Sequence, residues 1–252
     1  MSRSNPNDNS PNPATRWHNW NGGSGIVEYY DKEAKETVEV GDKFTFILLD
    51  QLSVVKGWHD TSDSGITSNE VKDTKAETMV VKAFKGGILA EGLYANIRDR
   101  IKAVGGHFTS NLYIVYRDEN KKAQLGCIQF KGAALNAWVD FCKAHRLQIW
   151  RQAISIVGAT EAKKGKITYH VPKFALKELS DETNKDATRI DAEILQPYLK
   201  SYFARTRTQQ IETPAVAAPV PGESEPPLAE PDTDHGSTAS QPDAPEDEDV
   251  PF

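Results

Sequence analysis

Lysines and arginines stand beside aromatic residues in several segments whose composition predicts β-strands. Alternate side chains of a strand share a face, so Lys82 shares a face with Phe84, and Tyr113 shares one with Arg117. A cation neutralises a phosphate, and a flat ring stacks on a base with a contribution of about 1–3 kcal/mol whatever the sequence. These pairs indicate a surface for an unpaired nucleic-acid strand. The candidate contacts are Lys56, Trp58, Lys82, Phe84, Lys85, Tyr113, Arg117, Trp150 and Arg151.

Aromatic residues in strands more often belong to the core than to a binding surface. Phe44 and Phe46 are expected in the core. Trp138 is expected there too, because it lies on the apolar stripe of a predicted helix. For Trp58, Phe84 and Tyr113 taken singly, core packing and base stacking are equally open. The aromatic candidates gain weight only together with the charge of the body.

The charge of the chain is strongly segregated. The net charge of the 252 residues is −6, yet the segment from Glu212 to Phe252 holds eleven acidic residues and neither Lys nor Arg. The rest keeps all 30 basic residues with 25 acidic ones, which is a net charge of +5. An acidic tail on a basic body is common in proteins that bind nucleic acid.

The end of the sequence combines acidic and apolar chemistry. The acidic run Glu246–Asp249 is followed by Val250, Pro251 and Phe252. The ring suits an apolar pocket, while the carboxylates suit a basic rim. Pro251 restricts Val250 to extended conformations, which lowers the entropic cost of binding. A purely solubilising tail would explain the acids but not the apolar ending. We therefore expect a partner-binding tip at Asp247, Glu248, Asp249, Val250, Pro251 and Phe252.

Motifs typical of enzymes are missing from the sequence. It has neither a Walker-type phosphate loop nor a His-Glu-x-x-His pair, and its six histidines lack metal-ligand spacing. We predict no catalytic residues, no metal and no cofactor. Cys127 and Cys142 are expected to be reduced thiols in the core. A run of 18 apolar residues and a signal-like start are both missing, so we expect a soluble cytoplasmic protein.

The predicted elements position these residues on a mainly β body. The expected strands are 25–30, 37–40, 43–52, 78–85, 108–117, 124–131, 148–159 and 166–171, and the expected helices are 91–104, 133–145 and 188–203. Lys56–Gly65 is expected to be a loop, and Gly105 is expected to stop the first helix. Short strands with two or three helices favour an elaborated OB-fold barrel.

Composition divides the chain into three parts. Residues 1–24 are rich in Asn, Ser, Pro and Gly and are expected to be mostly flexible, although Trp17 and Trp20 could dock on the body or stack on bases. Residues 25–210 form the predicted domain. Residues 211–252 hold nine of the 14 prolines and are expected to be a disordered acidic tail.

Two resemblances follow from these residues. The ending Asp249-Val250-Pro251-Phe252 resembles the tip of bacterial single-stranded DNA-binding proteins, typically Asp-Ile-Pro-Phe, which binds replication, recombination and repair proteins. The body resembles the OB-fold single-stranded DNA-binding proteins of tailed bacteriophages. The resembling segments, within residues 25–175, are Tyr29–Lys32, Phe46–Asp50, Ser64–Gly65, Ser68–Val71 and Lys131–Trp138.

The resemblances imply sequence-nonspecific binding and protection of single-stranded DNA in phage replication, recombination or repair, inside the host cytoplasm. The expected partners are single-stranded DNA and, through the tip, replication and recombination proteins. The resemblance transfers no individual DNA contact, so the candidate contacts rest on strand alternation alone. Two alternatives stay open. One is a nucleic-acid enzyme or annealing recombinase, and the other is an interaction module without DNA binding.

Overall fold

A long strand, β4, organises the β-sheet of the computed structural model, which describes residues 11–212 and the side chains of 11–206. Eleven strands belong to one sheet. They are β1 (Trp17–Asn21), β2 (Ile26–Asp31), β3 (Glu36–Gly41), β4 (Phe44–His59), β5 (Ser64–Ser68), β6 (Met79–Ala83), β7 (Gly87–Gly92), β8 (Gly106–Arg117), β9 (Ala123–Lys131), β10 (Ala153–Lys164) and β11 (Ile167–Lys177). The helices are α1 (Tyr94–Ala103), α2 (Gly132–Ala144), α3 (Asp181–Ile190) and α4 (Gln196–Glu212).

The strands curl into a ring. Their order is β3-β2-β1-β9-β8-β4-β5-β6-β7, while β10 pairs with both β4 and β11. The β1–β9 pair is parallel, and the other pairs are antiparallel. A backbone hydrogen bond of 2.7 Å from His170 N to Gly22 O then links β11 to the β1–β2 turn. The mainly β fold with added helices, expected from the sequence, is confirmed.

The inside of the ring is the main hydrophobic core. Phe44 and Phe46 lie there, as predicted, and α2 closes one side by inserting Trp138 against Phe46 and Phe130. Trp138 is fully buried, and its indole N–H donates to Gln51 Oε1 at 3.1 Å. This bond satisfies the indole N–H, which would otherwise be buried without a hydrogen-bond partner.

An irregularity in β4 exchanges the faces of this strand. The register of β4 against β8 shifts between Leu48 and Asp50. A bulge of one residue reverses which alternate side chains point inward. Phe46 therefore points inward before the bulge, whereas Lys56 and Trp58 point outward after it.

Helix α1 covers the sheet extension β5–β7. Ile97 and Ile101 are buried against Met79 and Val81. Gly105 follows the C-cap residue Val104, and its φ of 86° is readily adopted only by glycine, so the predicted stop is confirmed.

The C-terminal helices begin earlier than the sequence pattern predicts. The helix predicted to start at residue 188 is preceded by α3, whose N-cap is Ser180, because the Ser180 hydroxyl accepts a hydrogen bond from Thr183 N. A π-helical turn, Asp191–Leu195, joins α3 to α4. Pro197 follows one residue later, and the wider turn accommodates a residue that cannot donate to the helix ladder. The two helices pack on the outside of the ring.

The N-terminal segment is more structured than its composition predicts. Trp17–Asn21 forms β1, so ordered structure begins before residue 25. Trp20 docks on the body: it is buried, and its indole N–H donates to His170 O at 2.9 Å. Between residues 11 and 212, none of the helices is long and apolar enough to cross a membrane.

Candidate nucleic-acid interface

The outer face of the ring is defined by residues that pair across its strands and point away from the main core. Its members include Asn19, Lys56, Trp58, Gly65, Thr67, Lys82, Asn111, Tyr113 and Gln129. The part of this face that runs across the strands from Asn19 on β1 to Lys82 on β6 is open to solvent, and we call it the open end. The other part, around Tyr113, lies under α3 and α4, and we call it the covered end.

Two exposed rings flank Gly65 at the open end. Trp58 pairs with Gly65 across β4 and β5, and Phe84 N donates to Gly65 O at 3.1 Å. A Cβ on Gly65 would lie 3.2 Å from the Phe84 ring, so both rings lie on the same side of the sheet. Trp58 is 54% exposed and Phe84 is 77% exposed. Rings exposed to this degree contribute little to the core but are available for stacking.

Lysines accompany the two rings as strand alternation predicts. Lys56 lies two residues before Trp58 and donates to Thr67 Oγ1 at 3.0 Å. Burial lowers the pKa of Lys56. Thr67 also pairs with Lys82, which is exposed on the same face as Phe84, while Met79, Val81 and Ala83 are buried on the other. Lys85 is exposed just after Phe84. The open end therefore offers ammonium groups beside stacking surfaces.

Trp58 lies on a strand rather than in the predicted loop. β4 continues to His59 because Gly57 allows β8 to approach closely: a Cβ there would lie 2.1 Å from Gly105 O. Beyond His59, Ser62 bonds to both His59 Nδ1 (2.7 Å) and Ser64 (2.9 Å). Lys85 N donates to Ser64 at 3.1 Å, which ties the Phe84 turn to the Trp58 hairpin.

Tyr113 is not a surface residue, and its predicted role in stacking is wrong. It is fully buried, because Leu195 and Leu199 of the C-terminal helical segment pack over this part of the face. Its hydroxyl donates to Glu70 Oε2 at 2.9 Å and accepts from Asn12 Nδ2 at 2.7 Å. Strand alternation correctly predicted which face of β8 carries Tyr113, but the C-terminal helical segment covers that face at this position.

Arg117 is exposed but lies beyond the covered end. It is ten residues along β8 from His107, about 33 Å at the usual rise per residue. Its guanidinium donates to Lys121 O (2.8 Å) and Thr183 Oγ1 (2.9 Å). It lines a separate cavity of about 560 Å³ with Arg16, which is held by Glu119 at 2.6 Å. Arg117 is therefore not grouped with Trp58 and Phe84.

Trp150 and Arg151 also lie apart from the open end. Both belong to the connection between α2 and β10, because β10 begins at Ala153 rather than at the predicted residue 148. Ile149 anchors this connection in the main core, which belongs to the opposite face of the sheet. Trp150 is 55% exposed and remains accessible there. The structure does not bring this pair together with the other candidates.

A buried polar network lies between the two ends. Glu70 is buried and accepts hydrogen bonds from Asn111 Nδ2 and the Tyr113 hydroxyl. Glu70 N donates to the Tyr202 hydroxyl at 2.7 Å, which attaches α4 to the network. Burial raises the pKa of Glu70, while the bonds from Asn111 and Tyr113 and the charge of Lys56 oppose that shift.

Sequence reasoning missed the part of the open end formed by β1 and β9. Asn19, Gln129 and Lys131 line a cavity of about 440 Å³ together with Lys56 and Thr109. Alternation within 124–131 could have separated Gln129 and Lys131 from the buried Ile128 and Phe130. Their position beside Lys56 depends on the strand order, which alternation does not provide.

Other expectations concern the cysteines and the tail tip. Cys127 and Cys142 are free thiols, the first buried and the second half-buried, as predicted. Burial raises the pKa of both, to about 12 for Cys142. Within the described residues, no three His, Cys, Asp or Glu side chains are arranged to hold a metal ion. The predicted tip, Asp247–Phe252, lies outside the described residues.

No family model, no curated protein and no solved structure matches the chain.

Proposed function

We propose that the protein binds single-stranded DNA on the open end of its outer face, with no catalytic step. The observation that carries the proposal is the pair of exposed rings, Trp58 and Phe84, on one side of Gly65 with Lys56 and Lys82 beside them. Bases of an unpaired strand stack on such rings while its phosphates contact the ammonium groups. A duplex keeps its bases stacked inside and cannot use the rings in this way.

Binding of a labelled 30-mer measured by fluorescence anisotropy tests the proposal. Single-stranded DNA should bind more tightly than a duplex of equal length, and RNA of the same sequence serves as a third ligand. The logarithm of the affinity should fall linearly with the logarithm of the salt concentration, with a slope of about −0.7 per phosphate contact. Equal affinity for the duplex, or affinity that salt leaves unchanged, would contradict the proposal.

We further propose that residues 247–252 recruit replication and recombination proteins while the folded part holds DNA. The support is the acidic run with its apolar ending and its resemblance to bacterial tips. The resemblance to phage proteins supports the bacterial host cytoplasm as the compartment. Removal of residues 213–252 should abolish partner capture and keep DNA binding, since the rings and lysines of the open end remain. Loss of DNA binding in this variant would count against the division of labour.

The acids of residues 213–252 also repel phosphates and compete with them for the lysines of the body. The same deletion should therefore tighten DNA binding at low salt, where charges are least screened. An affinity unchanged at low salt would exclude this competition.

A further inference from the structure

The cavity of about 440 Å³ at the open end has a different chemistry from the ring pair. Its lining carries amides, a carboxylate and ammonium groups rather than exposed rings: Asn19, Trp20, Asn21, Gly22, Glu28, Lys56, Thr109, Gln129 and Lys131. Trp20 contributes to the wall, although its side chain is buried. Such a lining suits hydrogen bonding to the edge of a base better than stacking on its face.

The buried network fixes the direction in which Gln129 presents its amide. Asn111 Nδ2 donates to Glu70 Oε1, so the nitrogen of the Asn111 amide points toward Glu70. The Asn111 oxygen then faces Gln129 and accepts from Gln129 Nε2 at 2.6 Å. Gln129 Oε1 is thereby left as an acceptor for the cavity. The hydrogen bonds that link Glu70, Asn111 and Gln129 therefore determine which end of the Gln129 amide faces the cavity.

A second acceptor is oriented from the β1–β2 turn. The oxygen of Asn21 accepts from the backbone N–H groups of Gly23 (3.0 Å) and Ser24 (3.2 Å). Asn21 Nδ2 must therefore point the other way, and it donates to Glu28 Oε2 at 3.0 Å. The remaining oxygen of Glu28 adds another acceptor to the lining. Gln129 Oε1 and the remaining oxygen of Glu28 are thus two acceptors whose side chains are oriented by hydrogen bonds. They border a cavity that Lys56 and Lys131 also line.

The cavity is within reach of a strand stacked on the rings. Lys56 lines it and lies two residues from Trp58 on β4, about 7 Å along the strand. From β4 the sheet continues through β8 and β9 to β1, three steps of about 4.8 Å each. A single strand that stacks on Trp58 can place a nucleotide a few positions away in the cavity.

We propose that this cavity holds a base that carries an exocyclic amino group, in preference to thymine or uracil. The amino group of cytosine, adenine or guanine donates to Gln129 Oε1 or Glu28, while an ammonium group of Lys131 or Lys56 donates to a ring nitrogen or carbonyl oxygen of the same base. Thymine presents a carbonyl oxygen at the position where cytosine has its amino group, and two acceptors then face each other. The inference rests on the proposed binding of single-stranded DNA and adds a base preference to it.

Cytosine and thymine provide the sharpest comparison because both are pyrimidines of similar size. The full chain is titrated with labelled 20-mers of dC, of dT, and of a dC analogue whose base, 2-pyrimidinone, lacks only the amino group. We expect dC to bind at least about fivefold more tightly than dT, since one well-made base contact discriminates by about 1–3 kcal/mol. The analogue carries a C–H in place of the amino group and should bind more weakly than dC.

The variant Gln129→Leu removes the oriented acceptor and should shrink the ratio of dC to dT affinity, chiefly because dC binding weakens. Gln148→Leu, on the connection between α2 and β10, is the matched control and should keep the ratio. If dT or the analogue binds as tightly as dC, the base preference is wrong while DNA binding stands. If the chain binds none of the oligonucleotides, the proposed function itself fails. A ratio that survives in Gln129→Leu would remove Gln129 from the role.

Discussion

The two ends of the outer face are built on the same strands but differ in what covers them. At the covered end, Tyr113 and Leu52 are fully buried beneath α3 and α4. At the open end, Trp58 and Phe84 stay exposed beside lysines. The side chains match this difference: apolar groups and a satisfied polar network lie where helices pack, and charged groups with stacking surfaces lie where they do not. The same strand alternation thus yields a structural layer at one end and a binding surface at the other.

The largest expected effect comes from the covered end. Tyr113→Ala should lower the free energy of unfolding by about 3–5 kcal/mol, because it leaves a cavity under Leu195 and Leu199 and removes a hydrogen bond to Glu70. Urea denaturation measures this loss. Tyr113→Phe keeps the ring and should cost about 1–3 kcal/mol. If either variant weakened DNA binding while its stability was unchanged, Tyr113 would belong to the interface after all.

Lowering the pH should destabilise the fold through a buried histidine inside the ring rather than through the open end. His18 is buried on the inner side of β1, and this burial lowers its pKa from 6.5 to about 4. The unfolded chain therefore binds a proton at higher pH than the folded one. Stability is fully present above pH 6.5 and should fall by about 3 kcal/mol as the pH drops to about 4.

Urea denaturation across this pH range tests the role of His18. The variant His18→Gln does not titrate there, so its stability should depend less on pH than that of the unmodified protein. Equal pH dependence in the two proteins would show that His18 does not set the acid limit.

The open end is tested by removing a ring. Trp58→Ala should weaken binding of single-stranded DNA by about 5- to 150-fold, which corresponds to the loss of one stack of about 1–3 kcal/mol. Its stability should change little, because Trp58 is 54% exposed. Trp150→Ala is the matched control, since Trp150 is equally exposed but lies on the connection between α2 and β10. A larger loss of affinity in Trp150→Ala would move the binding surface to that connection.

The smallest expected effect is that of a single lysine. Lys82→Gln should reduce the slope of log affinity against log salt by about 0.7, with only a modest loss of affinity at physiological salt. Lys143→Gln, on α2 beside Asp140, should leave the slope unchanged. Identical slopes in both variants would mean that Lys82 contacts no phosphate.

Sequence alone predicted local features well and long-range ones poorly. The exposure of Lys82 and Phe84 opposite the buried Val81 followed from alternation within one strand. The burial of Tyr113 did not, because the residues that cover it lie about 80 positions later in the chain. The cavity beside Gln129 depends on the parallel pairing of β1 with β9, which no local pattern encodes.

The strand boundaries show the same limit. Glycine suggested a loop at Lys56–Gly65, whereas Gly57 permits the close approach of β4 to β8 and keeps Trp58 on a strand. The bulge after Leu48 then decides that Trp58 points outward. Both effects depend on the partner strand, so they could not be deduced from composition.

Photo-crosslinking tests most directly whether the open end holds the DNA. The full chain is irradiated with single-stranded DNA that carries 5-iodouracil, and the crosslinked residues are identified by mass spectrometry. We expect crosslinks at Trp58 or Phe84, with none at Trp150. Crosslinks confined to the connection between α2 and β10, or to α3 and α4, would show that the open end does not hold the DNA.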